Sequence, residues 1–296
     1  MRFAPILFAL FILGPFQAAA VTPCAGFVDS DEPVIKTFWT RATLADINQC
    51  LAASSVNAPL KNGNTPLHWA VMFNTNPAII TALIDAGAKV NAPGIVGTTP
   101  LHWAARSNVN PAIITILVDA GAQVNALNKG GQTPLHSAAM ASRTPAVITA
   151  LVDAGASVNE SDGRGYTPLH LAALLSRTPS IITALVDAGA DVNARNKNDK
   201  TPLHVAAATV NQTPAIIAAF VNAGADVNAR DGLGHTPLHL AVKTGLTPSV
   251  IIALIDAGAD VHAVGIDGKK PIDFAKTSGA LVGSDAYKRL NDATNN

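Results

Sequence analysis

The sequence predicts an all-α solenoid, one helix-turn-helix unit with a turned finger stacked on copies of itself. Thr-Pro-Leu-His occurs six times, starting at Thr65, Thr99, Thr133, Thr167, Thr201 and Thr236, in steps of 34, 34, 34, 34 and 35 residues. A closing segment of the Asp85-Ala86-Gly87-Ala88 type follows each copy, through to Asp256-Ala257-Gly258-Ala259. Between the two signals, apolar residues recur at helical spacing. A fixed period in this range marks a unit that cannot bury its apolar face alone and must stack on its neighbours. Function is therefore expected on an extended surface rather than in a pocket.

Residues 1–20 have the order of a secretory signal peptide: Arg2, an apolar run from Phe3 to Leu13, Gly14-Pro15, then Ala18-Ala19-Ala20, with cleavage expected after Ala20. The apolar run is short for a membrane span. A retained N-terminal anchor is the alternative, and Pro15 and the small residues weigh against it. Val21-Thr22-Pro23 before Cys24 lacks the small residue that a lipoprotein signal requires. Residues 21–34 form a leader. Residues 35–60 read as an N-terminal capping half-repeat, in which Thr43 to Ala58 supply a second helix and a finger without their first helix.

Six full repeats follow, at 61–94, 95–128, 129–162, 163–196, 197–231 and 232–265. In the first, Thr65 caps a helix and Pro66 occupies its first position, where a missing N–H costs nothing. Leu67 and Ala70 share one face. The chain breaks at Asn74 to Pro77, Asn76 caps a second helix, and Ile79, Ile80, Leu83 and Ile84 form its buried stripe. Gly87 supplies the left-handed residue that ends it. Ala88 to Ala92 run extended into a turn. Residues 266–296 are a C-terminal capping repeat and tail. There Lys270-Pro271-Ile272-Asp273 replaces Thr-Pro-Leu-His, Ala286 to Leu290 form a last short helix, and Asn291 to Asn296 are a polar tail.

Thr-Pro-Leu-His-x-Ala, the Asp-Ala-Gly-Ala closing segment and Val90-Asn91-Ala92 resemble the ankyrin repeat from about Phe38 to the C-terminal cap. The units are longer than the family's usual 33 residues, with the extra residue between the two helices. Asp199 stands where other units have Gly, and Asn222 where they have Asp. The resemblance implies a non-catalytic protein-protein interaction scaffold. Combined with the signal sequence, it resembles periplasmic ankyrin proteins of Gram-negative bacteria, so an exported chain is expected, periplasmic in preference to extracellular. A secreted effector that binds a host protein is the alternative within binding; an enzyme or metal-binding protein is the alternative outside it.

Cys24 and Cys50, the only cysteines, lie outside the repeats and are expected to pair in an oxidising compartment. Two unrelated buried thiols are the rival reading. Basic and acidic residues balance at 20 each, so no electrostatic footprint for nucleic acid or anionic lipid is expected. No membrane insertion after signal cleavage is expected, and the chain is expected to be a monomer. Arg195, Lys197, Lys200 and Arg230 make a locally basic group of fingertips.

His68, His102, His136, His170, His204 and His239 invite a metal reading, but equivalent side chains in stacked units lie ~10 Å apart, too far to share one ion. The resemblance implies that they are structural, bonding near the Thr-Pro turn and to the next unit. His235 and His239 are four apart, with Thr236-Pro237 starting a helix between them. No nucleophile elbow or phosphate loop is present, and Glu160-Ser161-Asp162-Gly163 reads as a turn rather than a calcium loop. No cofactor is expected.

The resemblance places the residues after each Leu-His toward the concave side of the stack. Here they are Trp69, Met72, Phe73, Trp103, Arg106, Met140, Leu174 and Leu175, and this aromatic, Met and Arg content is typical of interaction hot spots. The expected centre is Trp69, Met72, Phe73 and Trp103. Trp69 and Trp103 have a second reading, as covers over the core of the neighbouring unit.

Overall fold

Each repeat begins where a Thr turns the chain and a Pro fixes the first helical φ. The computed structural model of the protein describes Cys24, Phe27 and residues 32–295, apart from 61–62, 108, 142–143, 177, 211, 246 and 278–280. The expected signal peptide lies outside the described residues. The first helices of the six repeats are α3 (Pro66–Phe73), α5 (Pro100–Ser107), α7 (Pro134–Ala141), α9 (Pro168–Leu175), α11 (Pro202–Ala208) and α13 (Pro237–Thr244). Their second helices are α4 (Pro77–Asp85), α6 (Ala112–Asp119), α8 (Pro145–Asp153), α10 (Pro179–Asp187), α12 (Pro214–Asn222) and α14 (Pro248–Asp256). First helices pack on first helices and second on second along the whole chain.

The second helices end alike. Gly87 takes φ +87°, and the next amide, of Ala88, donates to the Leu83 carbonyl at 2.9 Å, closing the helix in a Schellman turn. The stripe predicted for α4 is narrower than expected. Ile79, Ile80 and Leu83 are fully buried, whereas Ile84, rotated by about 100° from Leu83, is only half-buried.

Two rows of side chains tie each unit to the next. In the first, the amide of Thr65 donates to Nδ1 of His68 at 3.1 Å, and Nε2 of His68 meets the Thr98 carbonyl, also at 3.1 Å. The amide donor makes Nδ1 an acceptor, so the ring proton resides on Nε2 and is donated across the interface. His102 bonds Gln132 in the same way, His136 Tyr166, His170 Lys200, His204 His235 and His239 Lys269, at 2.9–3.2 Å. In the second row, the finger Asn bridges the next helix end: Asn91 Nδ2 donates to the Gly121 carbonyl and Asn91 Oδ1 accepts from the Gln123 amide. Asn57, Asn125, Asn159, Asn193 and Asn228 repeat this pattern.

Both caps are more complete than the sequence suggested. The N-terminal cap is a helix pair rather than a half-repeat: α1 (Glu32–Arg41) packs on α3, and α2 (Leu44–Ala53) packs on α4. The helix α1 lacks the Thr-Pro-Leu-His signature; Pro33 in its first turn was the one local signal. Ile35 and Trp39 are buried, and Asn74 Nδ2 donates to the Trp39 carbonyl at 2.9 Å, which fastens the end of α1 to the α3–α4 turn. Cys24 and Cys50 are disulfide-bonded, and Phe27 is fully buried against Phe38 and Trp39. The leader is thus held by a covalent bond and an aromatic plug. At the other end, α15 (Pro271–Thr277) is followed by α16 (Asp285–Asn295), so most of the expected polar tail is helical. Leu290 is buried on its inner face, and Arg289 reaches back to pair with Asp256 of α14.

Burial makes the histidine row sensitive to acid. His68 is pushed down to about 4, and the other five are also lowered, with desolvation the largest cause. Protonation would set a second N–H against the Thr amide that Nδ1 accepts from. A base with a depressed folded pKa contributes stability that is complete above its unfolded value of ~6.5 and declines as pH falls toward the folded value. Unfolding free energy should therefore drop by as much as about 1.4 kcal/mol per pH unit for His68 between roughly pH 6 and 4.5, and the other five should steepen the fall in the same direction. His136→Ala should cost ~1–3 kcal/mol at neutral pH and flatten that slope. A slope unchanged by His136→Ala, in denaturant titrations across this range, would refute the assignment. For the leader, replacing both cysteines by Ala should remove ~3.5 kcal/mol on the loop-closure estimate, measured by the same titration at pH 7.

Candidate protein-binding surface

The fingers and the ends of the first helices line a groove. Four consecutive fingers are each shaped by one short polar side chain, at Asn128, Asp162, Asn196 and Asp231. Asn128 Oδ1 accepts from the amides of Gly130 and Gln132, and Asp162 Oδ1 from those of Arg164 and Tyr166, at 2.8–3.0 Å. Asn196 and Asp231 do the same in the following units. The central position needs a left-handed residue, supplied by Gly131 at φ +76° and by Asp199 at φ +56°, which explains how the Asp departure is accommodated. Neighbouring fingers then bond backbone to backbone, as in the Lys129 amide to the Val96 carbonyl and the Gly163 amide to the Gly130 carbonyl.

Of the eight residues singled out from the sequence, the structure groups them into two sets and leaves Arg106 exposed on α5. Trp69 is 3% exposed and belongs to the wall of the stack. Its ring stacks on Phe73 with centroids 5.5 Å apart and lies 6.1 Å from that of Trp103. Phe73, Met72 and Trp103 are half-buried, and Trp103 Nε1 donates to Thr98 Oγ1. The aromatic set is therefore largely packed on itself, and Trp69 follows its second reading, as a cover over the core.

The other set faces open space. Met140, Leu174 and Leu175 line a groove of about 560 Å³ together with Val96, Tyr166 and Leu171, and with Lys129 and Arg164 at its edge. Leu174 and Leu175 are 39% and 48% exposed at the end of α9. Sequence reasoning missed Tyr166, Lys129 and Arg164 as part of this surface, whereas it gives the fingertips at Ile95-Val96 and Leu127-Asn128 as an alternative site, and Val96 and Asn128 do line the groove. Tyr166 immediately precedes Thr-Pro, which fixes its place in the chain but not the direction of its ring.

The basic fingertips have local partners. Arg195 donates to the Asp199 and Arg230 carbonyls, Arg230 to those of Gly234 and Val264, and Lys197 Nζ to that of Gly163. Charges of both signs lie on the fingers, where Glu160, Asp162, Asp199, Asp231 and Asp267 stand among the basic residues. Basic residues sit on the fingers and first helices, at Arg106, Lys129, Arg164, Arg195, Lys197, Lys200, Arg230 and Lys243. Exposed Asp85, Asp119, Asp153, Asp187 and Asp256 each end a second helix on the other edge.

The histidine nitrogens are occupied as described above. His235 and His239 do come together, with rings stacked at 5.3 Å, but both nitrogens of His239 are already bonded. Among the described residues, no group of three His, Cys, Asp or Glu is placed to hold a metal ion, and no helix is long and apolar enough to cross a membrane.

The family model for ankyrin repeats, in three copies, matches residues 41–128, 101–196 and 175–265. No curated protein matches the chain.

Truncation should separate the two sets. Trp69→Ala should cost ~3–5 kcal/mol of stability, because it opens a hole in the wall of the stack. Leu175→Ala should change stability by only about 0.5 kcal/mol, as an exposed side chain does. Equilibrium unfolding of both variants checks the contrast.

Proposed function

Since the chain belongs to the ankyrin repeat family, we propose that it is a monomeric, non-catalytic scaffold outside the cytoplasm that holds a protein partner through the groove between its fingers and first helices. The observation that carries this reading is the exposure of Leu174 and Leu175 beside Met140 and Tyr166 in one groove. Long apolar side chains held in water on a rigid rim gain from a partner that covers them. The half-buried faces of Phe73, Met72 and Trp103, with Arg106, extend the same side toward the N-terminus.

Export rests on the order of charge, apolar run and small residues in 1–20, and on the disulfide that closes the leader onto the cap. The periplasm is the compartment this reading prefers. The family signature, the bonded histidines and the open groove together favour binding without chemistry.

Leu174→Ser with Leu175→Ser should weaken the partner complex by ~2 kcal/mol or more while leaving the melting temperature nearly unchanged. Calorimetric titration with the free partner, identified beforehand by crosslinking in the periplasmic fraction, measures this. An unaltered affinity would remove the groove from the reading, and recovery of the chain only from cytoplasm would remove the export.

A further inference from the structure

Resting on the reading of the groove as a protein-binding site, we infer that its occupant is an acidic, extended protein segment carrying apolar anchors. The groove has two chemistries. Its floor is apolar, from Met140, Leu171, Leu174 and Leu175, with the Tyr166 ring beside them. Its edge is cationic, from Lys129 and Arg164, both exposed. The carboxylate that also lines it, Asp162, is 8% exposed and accepts from the Arg164 and Tyr166 amides and from Gln132 Nε2, so its charge is engaged by the finger itself.

Lys129 and Arg164 form no ion pair among the described residues. Nor do their side chains hydrogen-bond among the described residues, unlike those of Lys197, Arg195 and Arg230, which cap finger carbonyls. Two uncompensated cations on one edge favour a partner of opposite charge, through both the encounter rate and the register of the bound segment. Exposed acids also lie on the fingers, at Glu160 and Asp199, so the positive charge offered to a partner is local to the Lys129 and Arg164 side chains that line the groove.

The geometry suits an extended segment. Neighbouring units are ~10 Å apart, and an extended chain advances ~3.3 Å per residue, so about six residues span two repeats. Alternate residues of such a segment point the same way. One set can place apolar side chains on the leucines while flanking acids meet Lys129 and Arg164.

The test is selection from a library of random peptides, each about a dozen residues so that register is left free, displayed on phage and panned against the full chain. The selected peptides should be rich in Asp and Glu around Leu or aromatic residues. Synthetic copies should bind roughly tenfold more weakly to Lys129→Gln/Arg164→Gln and should weaken as salt is raised. They should lose binding to Leu174→Ser/Leu175→Ser, with melting temperatures showing every variant folded. Peptides that need the leucines but show no acidic bias and no loss with the Gln variant would overturn this inference and leave the scaffold reading standing. Failure to select any groove-dependent peptide would overturn both. Self-association of the chain in sedimentation, abolished by the Gln variant, would assign the groove to the acidic edge of a second copy and overturn the proposed occupant.

Discussion

The neutral imidazole between consecutive Thr-Pro turns is the constraint on which the stack depends. Each ring faces two ways. Nδ1 accepts from the amide that would otherwise be left unbonded at the start of its own helix, and Nε2–H reaches the carbonyl just before the next helix start. The same ring therefore caps one unit and spaces it from the next by the length of a hydrogen bond. It does so while fully buried, as His136 and His170 are, so either nitrogen left alone would carry the whole desolvation penalty. Repetition of this bond holds the helix starts in register. Register in turn lets the finger Asn reach the following Gly carbonyl and lets fingertip amides find their neighbours.

The ends show what happens when a row of this kind must stop. Lys270 and Asp273 take the place of Thr and His, and Asp273 still accepts from the Lys270 amide at 3.0 Å. A carboxylate has no second arm to extend to a further repeat, so the row terminates with its last carbonyl, Lys269, already bonded to His239. His262 stands where the finger Asn would be. At the junction, Gly265 replaces the Asn or Asp that shapes other fingers, and His235 fills the space, its ring within 3.0 Å of where a Cβ would stand and 3.6 Å from Asp267. The other end is closed by covalent means, with Cys50 buried in α2 and Phe27 wedged against Trp39.

With the interior committed to these rows, specificity is left to the side chains that the rows do not use. Along α9, Leu169, Ala172 and Ala173 are consumed by packing, while Leu174 and Leu175 emerge beyond the last turn that the neighbouring units cover. Acidic residues close the second helices at the carbonyl end, where the helix dipole disfavours them by a few tenths of a kcal/mol.

The sequence by itself determined the repeat, its helix starts at Thr-Pro and its closing glycines, because each is a local backbone requirement that recurs at a readable period. It also located the cysteine pair and placed Met140, Leu174 and Leu175 on one side of the stack. The tertiary structure decided the rest. It completed both caps, because α1 and the end of α16 are held by contacts with α3 and α14 rather than by motifs of their own. It buried Trp69 while leaving Leu175 in water, since accessibility depends on the size of the side chains in the next unit and not on position within the repeat. Tyr166, Lys129 and Arg164 reach the groove because fingers from successive units bond side by side, a contact across some 30 residues that no local pattern encodes.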